Sequence, residues 1–169
     1  KAEAFWRENL KNFDAPTPLV IDHSSSDEMD AAGEIELHLS EESTERLQSF
    51  ARQHGVTLNT ILTGAWAVLL NRYSQEDTVV FGATVAGRPP SLAGVETIVG
   101  LLINTLPVRV RIDEQAELVA WLKALQAEQV ELREYEYSPL VEVQRWSEVE
   151  RGQPLFESLL VFENYPLDA

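Results

Sequence analysis

The order in which short β-type runs and longer helical runs follow one another limits the fold of this chain more than any other feature. Residues 78–85 read TVVFGATV, a short apolar run rich in β-branched residues that predicts a central strand. Residues 33–39 and 105–112 alternate apolar and polar side chains, which predicts half-buried strands, and residues 157–163 predict a last strand. Because helical segments separate most of these runs, the expected fold class is α/β (α+β), a mixed sheet covered by helices.

Helical periodicity and end signals define the remaining segments. Ser40 and Thr57 are the expected N-caps of two successive helices, and Gly55 ends the first of them. The second helix is apolar nearly all round, so it is expected to be buried against more than one neighbour. Ser138 is the expected N-cap of a later helix. Further helices are predicted at residues 1–10, 117–132 and 139–146. Residues 12–32 are predicted to be a connector that contains prolines.

Charge and composition exclude several classes of partner and site. The chain has 28 Asp and Glu against 13 Lys and Arg, a formal net charge of −15, which argues against nucleic acid or an anionic membrane surface as a partner. Cysteine is absent, so a disulfide framework, a cysteine-ligated zinc site and a thiol nucleophile are excluded. No apolar run approaches the roughly 18 residues of a membrane span, and the expected location is the cytoplasm.

The residue types alone nominate no catalytic constellation. His23, His38 and His54 lie apart, and none has a serine, a carboxylate or a second histidine at a spacing that fixes a dyad or a metal site. Asn104 is unusual because it interrupts the apolar run of residues 98–108. A buried amide needs partners, so Asn104 is expected either to bond the backbone of a neighbouring loop or to face a ligand channel.

The same run resembles a motif of the condensation domains of non-ribosomal peptide synthetases, with the spacing G-x-x-x-N-T-x-x-x-R. Gly100, Asn104, Thr105 and Arg109 stand at its fixed positions. Ala86 replaces a serine that is usual in a second family motif. The segments that resemble further motifs follow in the family's order and extend the resemblance over the whole chain: FWRENL at 5–10, VVFGATVAGRP at 79–89, EYSPL at 136–140 and PLFESLLVFENYP at 154–166.

The resemblance implies a chloramphenicol-acetyltransferase-like lobe, with residues 1–169 forming the C-terminal lobe of a two-lobed domain that encloses a tunnel. Such domains join a donor acyl or peptidyl thioester to an acceptor aminoacyl thioester. The family's catalytic histidine motif lies in the missing N-terminal lobe, so no catalytic residue is expected here and the chain alone is expected to be inactive. Asn104 is implied to support the reacting centre. The tunnel wall is implied at Gly87, Arg88, Pro89, Gly100, Asn104 and Thr105.

The partners follow from the same resemblance. Donor and acceptor peptidyl carrier proteins deliver the substrates on phosphopantetheine arms, and a neighbouring adenylation domain and the N-terminal lobe complete the assembly. No metal ion and no directly bound cofactor are expected.

Other functions stay open at this point. A non-catalytic module that docks carrier proteins fits the same residues, as do epimerisation and heterocyclisation relatives of the same fold. A small-molecule O-acetyltransferase is disfavoured, because such enzymes carry a D-F-G motif in their second half and this chain has none.

Overall fold

A computed structural model describes residues 1–19, 33–88 and 93–163 of the protein. A short 3₁₀ turn at Val95–Thr97 precedes the second strand. The predicted interleaving of strands and helices is confirmed. The elements in chain order are α1 (Ala2–Asn9), α2 (Glu41–His54), α3 (Leu58–Ser74), β1 (Thr78–Val85), β2 (Asn104–Arg111), α4 (Leu118–Arg133), α5 (Leu140–Trp146) and β3 (Leu159–Leu160).

The sheet is mixed and has β1 at its centre, in the order β2-β1-β3. β2 runs antiparallel to β1 and places Asn104 opposite Val85, whereas β3 runs parallel to β1. The consecutive residues Val79, Val80 and Phe81 of β1 are each at most 1% exposed. A strand buried on both faces needs apolar side chains in succession, which is why TVVFGATV predicted a central strand correctly.

Both predicted ends of α2 and the predicted start of α3 are confirmed. The side chain of Ser40 accepts a hydrogen bond from the backbone N–H of Ser43, and Thr57 accepts one from Thr60. Each of these bonds satisfies an N–H group that has no partner inside the first turn. Gly55 ends α2 with a φ of 68°, a conformation that a side chain disfavours.

α3 packs against α2, α4 and β1, as its apolar composition predicted. Ala67 and Leu70 are buried in these contacts. Leu69 and Tyr73 are 44% and 50% exposed, so the described residues do not cover the whole apolar surface of the helix. The prediction was right about several neighbours and too broad about burial.

The hydrophobic core lies where α1 and α5 meet the sheet. Trp6 from α1, Leu10 directly after it and Val143 from α5 are at most 1% exposed. Phe81 and Leu106 from the two long strands are equally buried. α1 and α5 also contact each other directly. The first ten residues therefore contribute to the core, and the helix predicted there is confirmed.

The strand predicted at residues 33–39 is wrong. Residues 33–40 form no strand, and Ile35, Leu37 and Leu39 are 87%, 86% and 63% exposed. Alternation makes an amphipathic strand only where another strand supplies hydrogen bonds, and no strand of the described chain pairs with this segment. The part of the predicted connector at residues 20–32 lies outside the described residues.

Two further local predictions are corrected. The last strand covers only Leu159–Leu160 instead of 157–163, because pairing with β1 is limited to two positions. The N-cap of α5 is Pro139 rather than Ser138. Ser138 is instead buried, with a hydroxyl that has no hydrogen-bond partner among the described residues. Among all the residues that the structure describes, no helix is long and apolar enough to span a membrane.

Candidate functional site

A cavity of about 320 Å³ opens where α3 and α4 meet the end of β1. This volume is near the lower end of the range for small-molecule sites, about 300–1,000 Å³. The sheet contributes mostly apolar side chains to the lining, and the helices contribute mostly polar ones. Its polar side chains are those of Asn59, Thr63, Thr84, Arg88, Gln129, Arg133 and Glu136.

Glu136, in the turn between α4 and α5, is the only buried ionisable residue in the described part of the chain, and it is 6% exposed. Burial raises the pKa of Glu136 above its ordinary value, while the Arg133 guanidinium and the backbone amide of Arg88 oppose part of that rise. Among the described residues the carboxylate forms no salt bridge. A carboxyl group in this setting can accept a hydrogen bond or exchange a proton with a bound molecule.

Asn104 ties the start of β2 to the same turn. Its Nδ2 group donates hydrogen bonds to the carbonyl oxygens of Glu136, at 2.9 Å, and Ser138, at 2.7 Å. Its Oδ1 atom accepts a hydrogen bond from the backbone N–H of Thr105 at 2.9 Å. All three partners are backbone groups, which is the first of the two arrangements that the sequence left open. The implied role of Asn104 at a reacting centre stays a prediction.

The turn after β1 is fixed by Gly87 and Arg88. Gly87 has a φ of 63°, and a Cβ atom there would lie 1.7 Å from the carbonyl oxygen of Leu102, so only glycine fits. Arg88 lines the cavity and donates through Nη1 to the carbonyl oxygens of Val95, at 2.6 Å, and Ile98, at 3.1 Å. These contacts hold the segment that follows β1 against the segment that precedes β2.

The remaining predicted tunnel residues do not gather around the cavity. Gly100 is exposed and has a φ of 148°. Thr105 is half-buried and pairs with Thr84, which lines the cavity. Pro89 lies outside the described residues. Of the six predicted positions, the structure therefore places Arg88 directly at the cavity, and it links Asn104 to the cavity through the backbone of Glu136.

Arg109, at the end of the same motif, acts away from the cavity. Its Nη1 group donates to the carbonyl oxygens of Asn9, at 2.8 Å, and Lys11, at 2.9 Å, where α1 ends. Carbonyl groups in the last turn of a helix have no partner within the helix, so a cationic donor there is stabilising. Arg109 thus joins the sheet to the first helix.

The sequence did not reveal Asn59, Gln129 or Arg133 as lining residues. These side chains come from two helices, and on a helix a polar residue at a cavity has the same local pattern as one at the surface. A hydrogen bond from Gln129 Nε2 to the hydroxyl of Thr63, at 3.0 Å, joins α4 to α3 at this point. Glu136 entered the sequence analysis only as a position in a motif.

The two described histidines lie apart from the cavity lining. His38 is exposed, and His54 at the end of α2 has its ring 4.5 Å from the ring of Phe50. Within the described ranges, no group of three or more histidine, aspartate and glutamate side chains is arranged to hold a metal ion.

Comparison with known proteins addresses both the fold and the family. The family model described as "Condensation domain" matches residues 1–169. A linear gramicidin synthase from Brevibacillus parabrevis is 53% identical over 170 residues, which cover 99% of this chain and 3% of that protein. The X-domain from teicoplanin biosynthesis has a TM-score of 0.77 at 23% identity and covers 94% of this chain and 36% of that one. A four-domain nonribosomal peptide synthetase bound to AMP and glycine has a TM-score of 0.78 at 21% identity, over 98% of this chain and 13% of that one.

These matches establish first the fold and then the family. The mixed sheet flanked by helices is the chloramphenicol-acetyltransferase-like fold of the solved neighbours, as the family resemblance implied. The chain belongs to the condensation-domain family. It spans only a few per cent of the length of its curated relatives, 3% for the gramicidin synthase.

Proposed function

We propose that this chain is the C-terminal lobe of a nonribosomal peptide synthetase condensation domain, and that the complete domain forms an amide bond. The observation that carries the proposal is the match of all 169 residues to the condensation-domain family. The cavity supports it, because the turn that follows β1 and the start of β2, where the family motifs lie, both connect to its wall.

The proposed reaction joins two groups carried on phosphopantetheine arms. The acceptor amine nitrogen attacks the carbonyl carbon of the donor thioester. The C–N bond forms, the C–S bond breaks, and the amine proton ends on the released carrier thiol. Holding the two reactants together supplies much of the rate enhancement, and a preorganised donor at the developing oxyanion supplies a further part.

In this proposal the chain contributes a wall rather than the proton-transferring group. The N-terminal lobe supplies the catalytic histidine motif. Gly87 and Arg88 fix one segment of the wall, and Asn104 fixes the turn that carries Glu136. Donor and acceptor carrier proteins and an adjacent adenylation domain are the proposed partners, and no cofactor binds the chain directly.

The test compares the complete domain with the 169-residue chain alone. Each is mixed with a loaded donor and a loaded acceptor carrier protein, and the acceptor-bound product is measured by mass spectrometry. We expect the dipeptidyl thioester from the complete domain and only the uncatalysed background from the chain. Product from the chain alone would contradict the proposed division of labour between the lobes.

The same assay separates the competing functions. A complete domain that binds both carrier proteins without forming product would be a docking module. A product with an inverted α-carbon, or one that contains a newly formed heterocycle, would identify an epimerisation or heterocyclisation relative.

A further inference from the structure

The burial of Glu136 has an energetic cost. Its carboxylate forms no salt bridge among the described residues, and the Arg133 guanidinium and the backbone N–H of Arg88 offset only part of the cost of burial, because the pKa of the carboxyl group stays raised. Moving a carboxylate out of water is unfavourable unless charges or hydrogen bonds replace the lost solvation. The exposed Glu134, two residues earlier in the same turn, meets no such cost. A side chain held at 6% exposure in the wall of a cavity is therefore a candidate for ligand binding.

Asn104 at the start of β2 holds the backbone around Glu136 in place. Asn104 donates two hydrogen bonds to carbonyl groups of the turn, one of them that of Glu136 itself. These bonds fix the backbone position from which the Glu136 side chain extends. A binding group on a fixed backbone is preorganised, which lowers the entropic cost of binding.

The two arginines at the cavity have different surroundings. Arg88 is engaged through Nη1 by two backbone carbonyl groups. Arg133, the last residue of α4, is exposed and forms no salt bridge with any residue of the described chain. The wall thus contains both a carboxylate and a guanidinium. A carboxylate accepts N–H hydrogen bonds and a guanidinium donates to oxygen, so together they suit a ligand with an amine next to an acyl oxygen.

We propose that Glu136 recognises the primary amine of an aminoacyl group in this cavity. The inference rests on the proposed function, in which the acceptor substrate is an aminoacyl thioester. Anionic ligands are disfavoured by the same carboxylate. A bound ammonium group would also favour the ionised form of Glu136, because an opposite charge at close range lowers the pKa of a carboxyl group.

The test measures binding without turnover. The complete condensation domain that contains this chain is titrated calorimetrically with leucyl-N-acetylcysteamine thioester and, separately, with its N-acetylated form, which lacks the basic amine. We expect the wild-type domain to bind the amine form about tenfold more tightly, as one charge-assisted hydrogen bond predicts. Glu136→Gln should abolish this preference, while binding of the N-acetylated form should change little.

Glu134→Gln is the matched control, because it removes the same charge from an exposed neighbour in the same turn. It should keep the preference for the amine. A wild-type domain without that preference would overturn the inference whether or not Glu136→Gln folds, and so would an unchanged preference in a folded Glu136→Gln domain. If the wild-type domain forms amide product but shows no preference, the inference fails and the proposed function stands. If it shows the preference but forms no product, the proposed function fails and the inference stands.

Discussion

Two segments of this chain have the same alternating sequence pattern and opposite structural outcomes. β2 buries Leu106 and Val110, which are at most 1% exposed, against the centre of the molecule. Residues 33–39 leave Ile35 and Leu37 more than 80% exposed. The apolar side chains of the two segments are similar in size and spacing, so hydrophobicity does not explain the difference. What β2 has, and residues 33–39 lack within the described chain, is a partner strand.

β2 is also held at both ends by side chains that bond distant backbone groups. Asn104 at its start reaches the turn between α4 and α5, and Arg109 near its end reaches the last turn of α1. Backbone N–H and C=O groups that leave water need partners. Alternation therefore gives the faces of a strand, while pairing and end contacts decide whether the strand forms.

The largest expected effect comes from truncating the paired segment. Leu106→Ala should lower the free energy of unfolding by about 2–5 kcal/mol, because it leaves a cavity beneath β2. Leu37→Ala is the matched control and should change stability by no more than about 0.5 kcal/mol, since its side chain is already in solvent. Urea denaturation of both variants measures the contrast. Equal losses in the two variants would show that residues 33–39 are buried in solution.

A smaller effect is expected from removing the tether at the start of β2. Asn104→Ala should destabilise the protein by about 1–3 kcal/mol, because two backbone carbonyl groups lose their donor. Asn59→Ala, at a half-buried cavity position, should cost less. Melting temperature and single-turnover rate are measured together in the complete domain.

The two measurements separate the roles of Asn104. A lower melting temperature with an unchanged rate would limit Asn104 to the backbone contacts. A rate reduced roughly 10²–10³-fold with unchanged stability would place its amide at the reacting centre instead.

The smallest effect concerns the pH dependence of stability at the turn that Asn104 holds. Burial raises the pKa of Glu136 in the folded state, so folding favours its protonated form. Wild-type stability relative to Glu136→Gln should therefore be greatest below the unfolded pKa and decline as the pH rises through the folded pKa. Glu128, whose pKa is also raised by burial, is present in both proteins, so its contribution cancels in the difference. Urea denaturation over a pH series measures the difference, and a constant value would contradict a raised pKa.

Local signals predicted most of the fold. The caps Ser40 and Thr57, the Gly55 ending and the apolar run of β1 are properties of a few adjacent residues, and each of these predictions is confirmed. The failures at residues 33–39 and at β3 depend on which strands meet, and no window of sequence contains that information. At Ser138 a hydroxyl before a proline looked like a cap, but tertiary packing buried it.

The candidate site was less predictable for the same reason. Arg88 was found through a family motif, which records positions without stating their contacts. Asn104 was found because it interrupts an apolar run, a pattern that left its contacts open. The burial of Glu136 has no local sign, because an acidic residue after an amphipathic helix usually lies in solvent. Its setting follows from the way Asn104, 32 residues earlier, draws the turn towards β2.

The contact between Arg109 and α1 has a consequence for recombining domains of this family. Its donor and its acceptor at Asn9 lie 100 positions apart, so a chimera joined anywhere between them takes the two from different parents. The acceptors are backbone carbonyl groups, which any parental sequence supplies provided that α1 ends at the same place. For this contact, compatibility across the junction therefore depends on one inherited side chain, and recombinants keep the contact if they retain the arginine.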